Sequence, residues 1–484
     1  MYWMIVSLVL AVVSGPLMLL TKTCSRKTRI TAAVLLQSVV TVCGWGAVLY
    51  GDCTTARYYF TDSMSLALSS DSLARFFCAV IVTAWMLVTV YAGVYMKHEK
   101  NEERFFLFSF LTEGAMLGAA FAESQVSMYV FYEMVTLFSM PLVLHSLSKE
   151  SVAAAKKYLY YSVAGAFMAL FGIFAISTQT DTLQFTAGGT VTQTTPLLLA
   201  AVFVLCLGFG AKAGLFPLHG WLPTAHPVAP APASALLSGI IAKAGVLAII
   251  RTVYFTVGAD KLAGTWVQTA LLILALLTVL MGSMMAYREK IFKKRLAYST
   301  VSQISYVLTG LFLFTEAGAE GALWQILFHA VVKVGLFLCA GAVIFLYGKT
   351  QVAELDGIGR KMPLTFTCFT LLSLSLIGIP PMGGFFSKWY LATASLETAG
   401  IGALSWIAPV ILLLSALLTA GYLLQITIHA FFRKDVSGDA AAVKEPAAMV
   451  CVLAVLALLA LVGGVMAAQT GGLLSGIASS MFAR

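Results

Sequence analysis

The chain has 484 residues, of which 60% are hydrophobic and 11% charged, and its mean hydropathy is +0.92. That composition excludes a soluble enzyme or a nucleic-acid-binding domain: the formal net charge of +9 sits in short loops between apolar runs of about twenty residues, the length that crosses ~30 Å of hydrocarbon. The eight cysteines form no C-x-x-C pair, and no phosphate loop, nucleophile elbow or haem or iron–sulfur ligand spacing occurs, so neither a cofactor nor a metal is expected.

In chain order the apolar runs fall at approximately 2–20, 30–51, 76–96, 105–122, 125–147, 158–177, 196–216, 231–254, 265–287, 296–315, 321–347, 364–395, 402–431 and 446–468. Fourteen membrane spans in one polytopic domain over 1–484 follow, an all-α integral membrane protein. The first run has no basic residue before it and is followed at once by Lys22 to Arg29, the reverse of a cleavable signal peptide, so it is read as the first helix. If that helix starts outside, the inside loops hold twenty-one Lys and Arg, in the stretches 22–29, 97–104, 149–157, 288–295, 349–361 and 433–444. The other side holds only Arg57, Arg75, Arg251, Lys261 and Arg484. This bias obeys the positive-inside rule and puts both termini outside a cell membrane.

Four lysines remain, and they lie within spans: Lys212, Lys243, Lys333 and Lys388. A lysine at the centre of a membrane helix costs about 2.5 to 3.5 kcal/mol on insertion scales, so such residues face a protein interior or a hydrated cavity and mark an ion or proton pathway. Two of them accompany interrupted spans. The seventh reads LGFGAKAGLFPLHGWLP, with Pro217 after Lys212, and the twelfth reads LIGIPPMGGFFSKWYL, with Pro380 and Pro381 before Lys388. Proline removes a backbone donor, and non-helical backbone at membrane depth is tolerated only where protein buries it or a cavity receives it. Breaks at matching places in two halves point to a transport site and to inverted repeats, approximately 105–254 and 265–431.

Acidic residues are sparse in the spans. Glu133, in VFYEMVTLFSMPL, and Glu113, in the fourth span, are the two candidates. A Glu and a Lys whose separation varies pass protons because each charge sets the other's proton affinity; the plainer alternative is a static ion pair that fixes packing. Among the histidines, His219 and His226 follow the seventh span in FPLHGWLPTAHPVAPAPAS and are candidates for an entry vestibule, with helix capping as the other reading of His226. His329 lies four residues before Lys333 and so shares its helical face. His98 and His145 are expected to be solvated at helix ends, and His429 receives no role.

Taken together, the stretch KAGLFPLHGWLPTAHPVAPAPASALLSGIIAKAGVLAIIR (Lys212 to Arg251), F-Y-E in the fifth span, AYSTVSQISYV (Ala297 to Val307), the H-x-x-x-K pair and G-x-P-P-x-x-G-F-x-x-K (Gly378 to Lys388) resemble one family. It comprises the antiporter-like subunits shared by respiratory complex I, Mrp-type cation/proton antiporters and membrane-bound hydrogenases, and the resemblance runs over essentially the whole chain. It implies fourteen helices, two inverted five-helix repeats and discontinuous helices seven and twelve. It also implies a Glu133–Lys212 pair from which a polar axis continues through Lys243, His329 and Lys333 to Lys388, where some members carry glutamate.

The expected function is proton translocation by a membrane subunit of a larger complex. Its partners are other membrane subunits, the lipid bilayer and H⁺, with Na⁺ left open, and no nucleic acid. Two rival readings are an autonomous secondary Na⁺/H⁺ antiporter, for which two membrane carboxylates are few, and a non-conducting structural subunit, which leaves four membrane lysines unexplained. The topology is open to a direct test. With the other cysteines replaced, a membrane-impermeant thiol reagent on intact cells should label Cys53, just after the second span, far better than Cys24, in the first basic loop. The reverse pattern inverts the orientation.

Overall fold

The computed structural model describes residues 2–51, 53–55, 57–61, 64–434 and 443–482; Arg484, assigned above to the outer side, lies outside the described residues. In hydrocarbon each peptide group must be bonded within its own segment, and the apolar runs accordingly form helices. Ser25, Asp71, Ser124, Ser148, Thr195 and Thr315 start six of them by accepting a hydrogen bond from a first-turn N–H.

The first half contains α1 (Tyr2–Leu20), α2 (Arg26–Leu49), α3 (Ser72–Tyr95), α4 (Glu102–Ala120), α5 (Gln125–Val143), α6 (Lys149–Ser177), α7 (Pro196–Ala213), α8 (Leu222–Val228) and α9 (Ala231–Val257). The second contains α10 (Trp266–Arg288), α11 (Phe292–Phe312), α12 (Glu316–Tyr347), α13 (Pro363–Ile377), α14 (Gly383–Glu397), α15 (Leu404–Phe432), α16 (Ala447–Val465) and α17 (Ala467–Phe482). Helices therefore stand at all fourteen expected places. Among the described residues eleven are long and apolar enough to cross a membrane. The exceptions have simple causes: α4 and α11 open on charged residues, and the expected twelfth span is split into α13 and α14, of fifteen residues each.

Loop contacts divide into two sets. In one, Arg26 and Arg29 in the first turn of α2 pair with Glu102 of α4, and Lys293 of α11 donates to Ala229 O, just after α8, at 2.5 Å. Ile291 bridges Gln351 there, and His429 of α15 lies 2.5 Å from Asp356, which gives that histidine a partner. In the other set Arg57 pairs with Glu123, Gln125 N bonds Leu183 O at 2.9 Å, and Thr186 N bonds Phe255 O at 2.8 Å. The first set gathers the strongly basic loops on one face and the second gathers the sparsely basic loops on the other. Between them α9, α11 and α12 form the buried interior, while α1, α2, α6, α15 and α16 turn apolar side chains outward.

Several sequence expectations are corrected. Arg251, counted with the outer loops, lies inside α9, 2% exposed, and binds Asp71 through two bonds of 2.6 and 2.8 Å. His145 is buried rather than solvated; burial, and then Arg104, hold its imidazole down at about 4. His98 is exposed, as expected, and stacks on Phe345. Helix α17 was not among the expected spans, because Gly471, Gly472, Gly476 and several hydroxyl residues dilute its apolar pattern; it docks where Met481 O accepts from Gly188 N at 3.2 Å. Two small antiparallel ladders between α2 and α3, Cys53–Thr54 with Ser69–Ser70 and Tyr58–Thr61 with Met64–Leu66, lie in the loop of this otherwise helical fold.

The Arg251–Asp71 bond supports a stability prediction. Asp71→Asn keeps the cap on Ala74 N but removes the counter-charge of the buried guanidinium; because Asp71 is itself 36% exposed, the cost falls below the ~3 to 5 kcal/mol of a fully buried pair. The purified protein should show a clearly lower thermal midpoint, and an unchanged one would mean that the pair contributes nothing.

Candidate functional site

Lys212 sits in the last turn of α7, which closes on Gly214 in the left-handed region at φ 84°. A side chain there would meet Leu222 Cδ1 at 2.4 Å, so glycine answers both the turn and the close approach of α8. Trp221 Nε1 donates to Ala211 O at 2.8 Å and ties the far side of the break back to α7. Thus fixed, the fully buried Lys212 Nζ donates to Thr136 Oγ1 at 2.6 Å and Tyr132 O at 3.1 Å, both on α5, and lies 4.1 Å from the centre of the Tyr132 ring.

Glu133 is the next residue on α5, but no ion pair joins it to Lys212 among the described residues; its Oε1 has no hydrogen-bond partner. The two groups still feel each other's charge. The pair implied by the sequence is thus present as neighbours but open, with neutral oxygens holding the lysine.

Lys243 follows a π-helical turn, Leu237–Ile241, in α9. Such turns depart from regular helical bonding and recur at functional sites. Lys243 Nζ donates to Gly239 O within that turn and lies 2.9 Å from His329 Nδ1 on α12. With lysine as donor, Nδ1 is the acceptor and the imidazole proton resides on Nε2. His329 and Lys333 do share a helix, as their spacing requires, but their bonds diverge: Lys333 Nζ donates to Leu296 O of α11 at 3.1 Å. All three side chains are essentially unexposed.

Lys388, on α14, is partly buried. Its Nζ donates to Leu376 O in the last turn of α13 and stands 5.6 Å from the centre of the Tyr306 ring. The last carbonyls of a helix lack partners within it, so the break supplies the acceptor that the lysine needs. Gly378 at φ 92° makes the turn, where a side chain would meet Lys388 Cδ at 2.9 Å. Pro380 and Pro381 lie between α13 and α14, and Pro217 lies between α7 and α8, so each falls in an interruption.

The secondary candidates separate. His226 on α8 is fully buried, neither ring nitrogen has a hydrogen-bond partner, and the ring stacks on Phe337 at 4.7 Å with Lys293 and Lys333 as its charged neighbours. His219 is half-buried in the break, stacked on Phe216 near Lys157. Glu113 is away from the lysines: Gln37 of α2 donates to it at 2.8 Å inside the α1–α4 group.

Buried amides are the main residues that the motif reading passed over. Gln325 of α12 donates to Gln303 Oε1 of α11 at 2.9 Å, and Ser387 of α14 donates to Gln325 Oε1 at 2.6 Å. An amide inside an apolar run, as in SQIS and WQIL, was the available signal. Among the described residues no group of three or more His, Cys, Asp and Glu is arranged to hold a metal ion.

A family described as NADH:quinone oxidoreductase/Mrp antiporter, TM, matches residues 122–411, and the chain belongs to it. The chain is 32% identical over 415 residues to NADH-quinone oxidoreductase subunit N of Desulforudis audaxviator, across 83% of this chain and 81% of that protein. It is also 32% identical over 345 residues to hydrogenase-4 component B of Escherichia coli, across 67% of this chain but 50% of that protein. In fold it is similar to a chain of the Mrp complex from Dietzia sp. DQ12-45-1b, with a TM-score of 0.85 at 20% identity, covering 100% of this chain and 98% of that one. The chain is a multi-pass, antiporter-like membrane subunit.

Proposed function

We propose that this subunit translocates protons along Glu133, Lys212, Lys243, His329, Lys333 and Lys388, as one of several membrane subunits of a complex in the cell membrane. The observation that carries the reading is the contact between Lys243 Nζ and His329 Nδ1, 2.9 Å apart and wholly buried. Two titratable nitrogens within hydrogen-bond reach, one on each half of the molecule, are a proton-transfer geometry rather than a packing one. Lys212 and Lys388 flank this contact, each beside a helix break. The breaks also support reading 105–254 and 265–431 as inverted repeats.

In this mechanism Lys212 alternates between its neutral oxygens on α5 and the carboxylate of Glu133, and each change alters the proton affinity of the sites beyond it. Glu133 and Lys388 retain partial exposure whereas the groups between them are buried. That arrangement suits an axis whose ends meet neighbouring subunits or water. His226, with Lys293 beside it, and His219 are proposed to admit protons from the strongly basic face, which the positive-inside rule makes cytoplasmic. Glu113 is kept as a separate buried carboxyl. The reading leaves H⁺ as the moved ion; Na⁺ has no carboxylate-rich site along the axis to favour it.

Reconstituted complex in proteoliposomes with a pH-sensitive dye tests the pathway. Lys212→Ala and Glu133→Ala should each assemble and lose most proton movement, while Lys149→Ala, at the exposed start of α6, should change little. Assembly is measured alongside, because removing one member of a buried charge cluster also destabilises the fold. Normal translocation by assembled Lys212→Ala would exclude the axis.

A separate expectation concerns Lys388. Arginine keeps the positive charge but does not release its proton at any relevant pH. Lys388→Arg should therefore assemble and translocate poorly, whereas Lys388→Glu should retain part of the activity. Arginine at the parent rate would make Lys388 a fixed charge, with the path leaving near His329 and Lys333.

A further inference from the structure

Between His329 and Lys388 lies a narrow gap, lined also by Gln303, Gln325 and Ser375, that in this arrangement does not seat a water molecule. Three buried polar atoms at its wall, His329 Nε2, Gln303 Nε2 and Ser375 Oγ, have no hydrogen-bond partner. Buried polar groups are ordinarily paired, so three unsatisfied atoms around one space indicate a guest that donates or accepts hydrogen bonds. They also mark a gap in the proposed axis. Lys243 reaches His329 directly, whereas no hydrogen bond joins His329 to Lys388 among the described residues.

Gln325 controls the shape of this gap. Its Nε2 holds Gln303 Oε1, which leaves the N–H group of Gln303 directed to the space; its Oε1 accepts from Ser387, the residue before Lys388. One amide on α12 thereby connects α11 with α14 next to the terminal lysine. If the network served packing alone, apolar side chains of similar volume would do as well without unsatisfied atoms.

We propose that Gln325 is a positioning residue: its amide sets Gln303, His329 and Lys388 around one space, and a small rotation of that amide admits the water that carries a proton between His329 and Lys388. The step is balanced. Lys243 gives a proton to His329 Nδ1, His329 Nε2 releases one to the water, and the water passes one to the neutral amine of Lys388; only N–H and O–H bonds break and form. The inference rests on the proton axis proposed above.

Two substitutions test it in the reconstituted complex. Gln325→Leu fills the same volume without hydrogen bonds and should assemble but translocate roughly tenfold to a hundredfold more slowly, the scale of a misplaced transfer group. Gln325→Glu retains both bonds while its carboxyl is neutral, donating to Gln303 and accepting from Ser387. Once ionised it instead draws the N–H of Gln303 away from the space. Its activity should therefore be greatest at the acid end and fall between about pH 5 and pH 8.5, beyond any change in the parent over the same range, because burial raises the range in which the carboxyl ionises while Lys388, Lys333, Lys243 and His329 lower it. A packing role alone does not predict that pH profile. Parent-like rates in Gln325→Leu beside an inactive Lys388→Arg would overturn this inference and leave the axis standing; parent-like rates in both would overturn it too and end the path near His329 and Lys333, while parent-like rates in Lys212→Ala would remove the axis itself. If the leucine variant does not assemble, a Gln325→Glu profile that matches the parent across the range overturns the inference.

Discussion

The constraint on which this structure depends is the need to give four membrane-embedded ammonium groups an acceptor without water. Each of the four receives one, and in every case it is neutral. Lys212 bonds Tyr132 O and Thr136 Oγ1, Lys243 bonds Gly239 O and approaches His329, Lys333 bonds Leu296 O, and Lys388 bonds Leu376 O. A carbonyl accepts a hydrogen bond from an amine as well as from an ammonium, so these contacts survive a change of protonation state. A carboxylate would instead bind one state strongly and penalise the other by several kcal/mol. Arg251 shows the contrast: it must stay charged, and it has the bidentate carboxylate of Asp71.

Backbone irregularity accompanies several of these lysines. Leu376 O belongs to the last turn of α13, where no following helical N–H is available, and Gly239 O lies in the π-helical turn of α9. Lys212 occupies the final turn of α7. Breaks and π turns within the bilayer are costly only when their polar groups are unsatisfied; here a lysine stem four carbons long reaches across the irregularity. The interruptions and the lysines therefore belong to one device, and the surrounding regular helices, α1 and α2 or α15 and α16, form its apolar wall.

Much of this was legible in the sequence because hydropathy, proline and intramembrane charge are local signals. The fourteen span positions, the two interruptions and all four lysines could be read from composition along the chain. Helical periodicity could put His329 and Lys333 on one face, but it carries no information about which neighbouring helix that face meets. Hence the Lys243–His329 contact and the separate bonding of Lys333 required the tertiary structure. The same limit explains Glu133, which adjoins Lys212 without bonding it, and Arg251, whose partner Asp71 is distant in the chain. His145 was misread because a helix end next to a basic loop suggests water, whereas packing around Arg104 buries it. The amides Gln303 and Gln325 carry no charge and so gave a weaker signal than the lysines, although an unsatisfied amide in hydrocarbon is also expensive.

The central region has a further electrostatic consequence. Lys243, Lys333 and Lys388 are the charged neighbours of His329, and none is a carboxylate. Two positive charges about 8 Å apart repel by about 2 kcal/mol at an effective dielectric constant near 20, so a cluster of four basic groups does not hold four protons at neutral pH without a large penalty. On the proposed axis such groups would titrate as one unit, with fewer protons than sites. A proton entering at one side then raises the free energy of those already present, and the lowest-energy response is a shift towards the other end. On the proposed axis a charge change at Glu133 or Lys212 would act on Lys388 through successive neighbours, without any helix having to move as a rigid body. What the fold must provide is a dry interior, neutral acceptors and short gaps between the groups. The gap beside Gln325 brings three unpaired buried polar atoms to one wall, so on the proposed axis it is the point where side-chain geometry, rather than charge alone, would govern transfer.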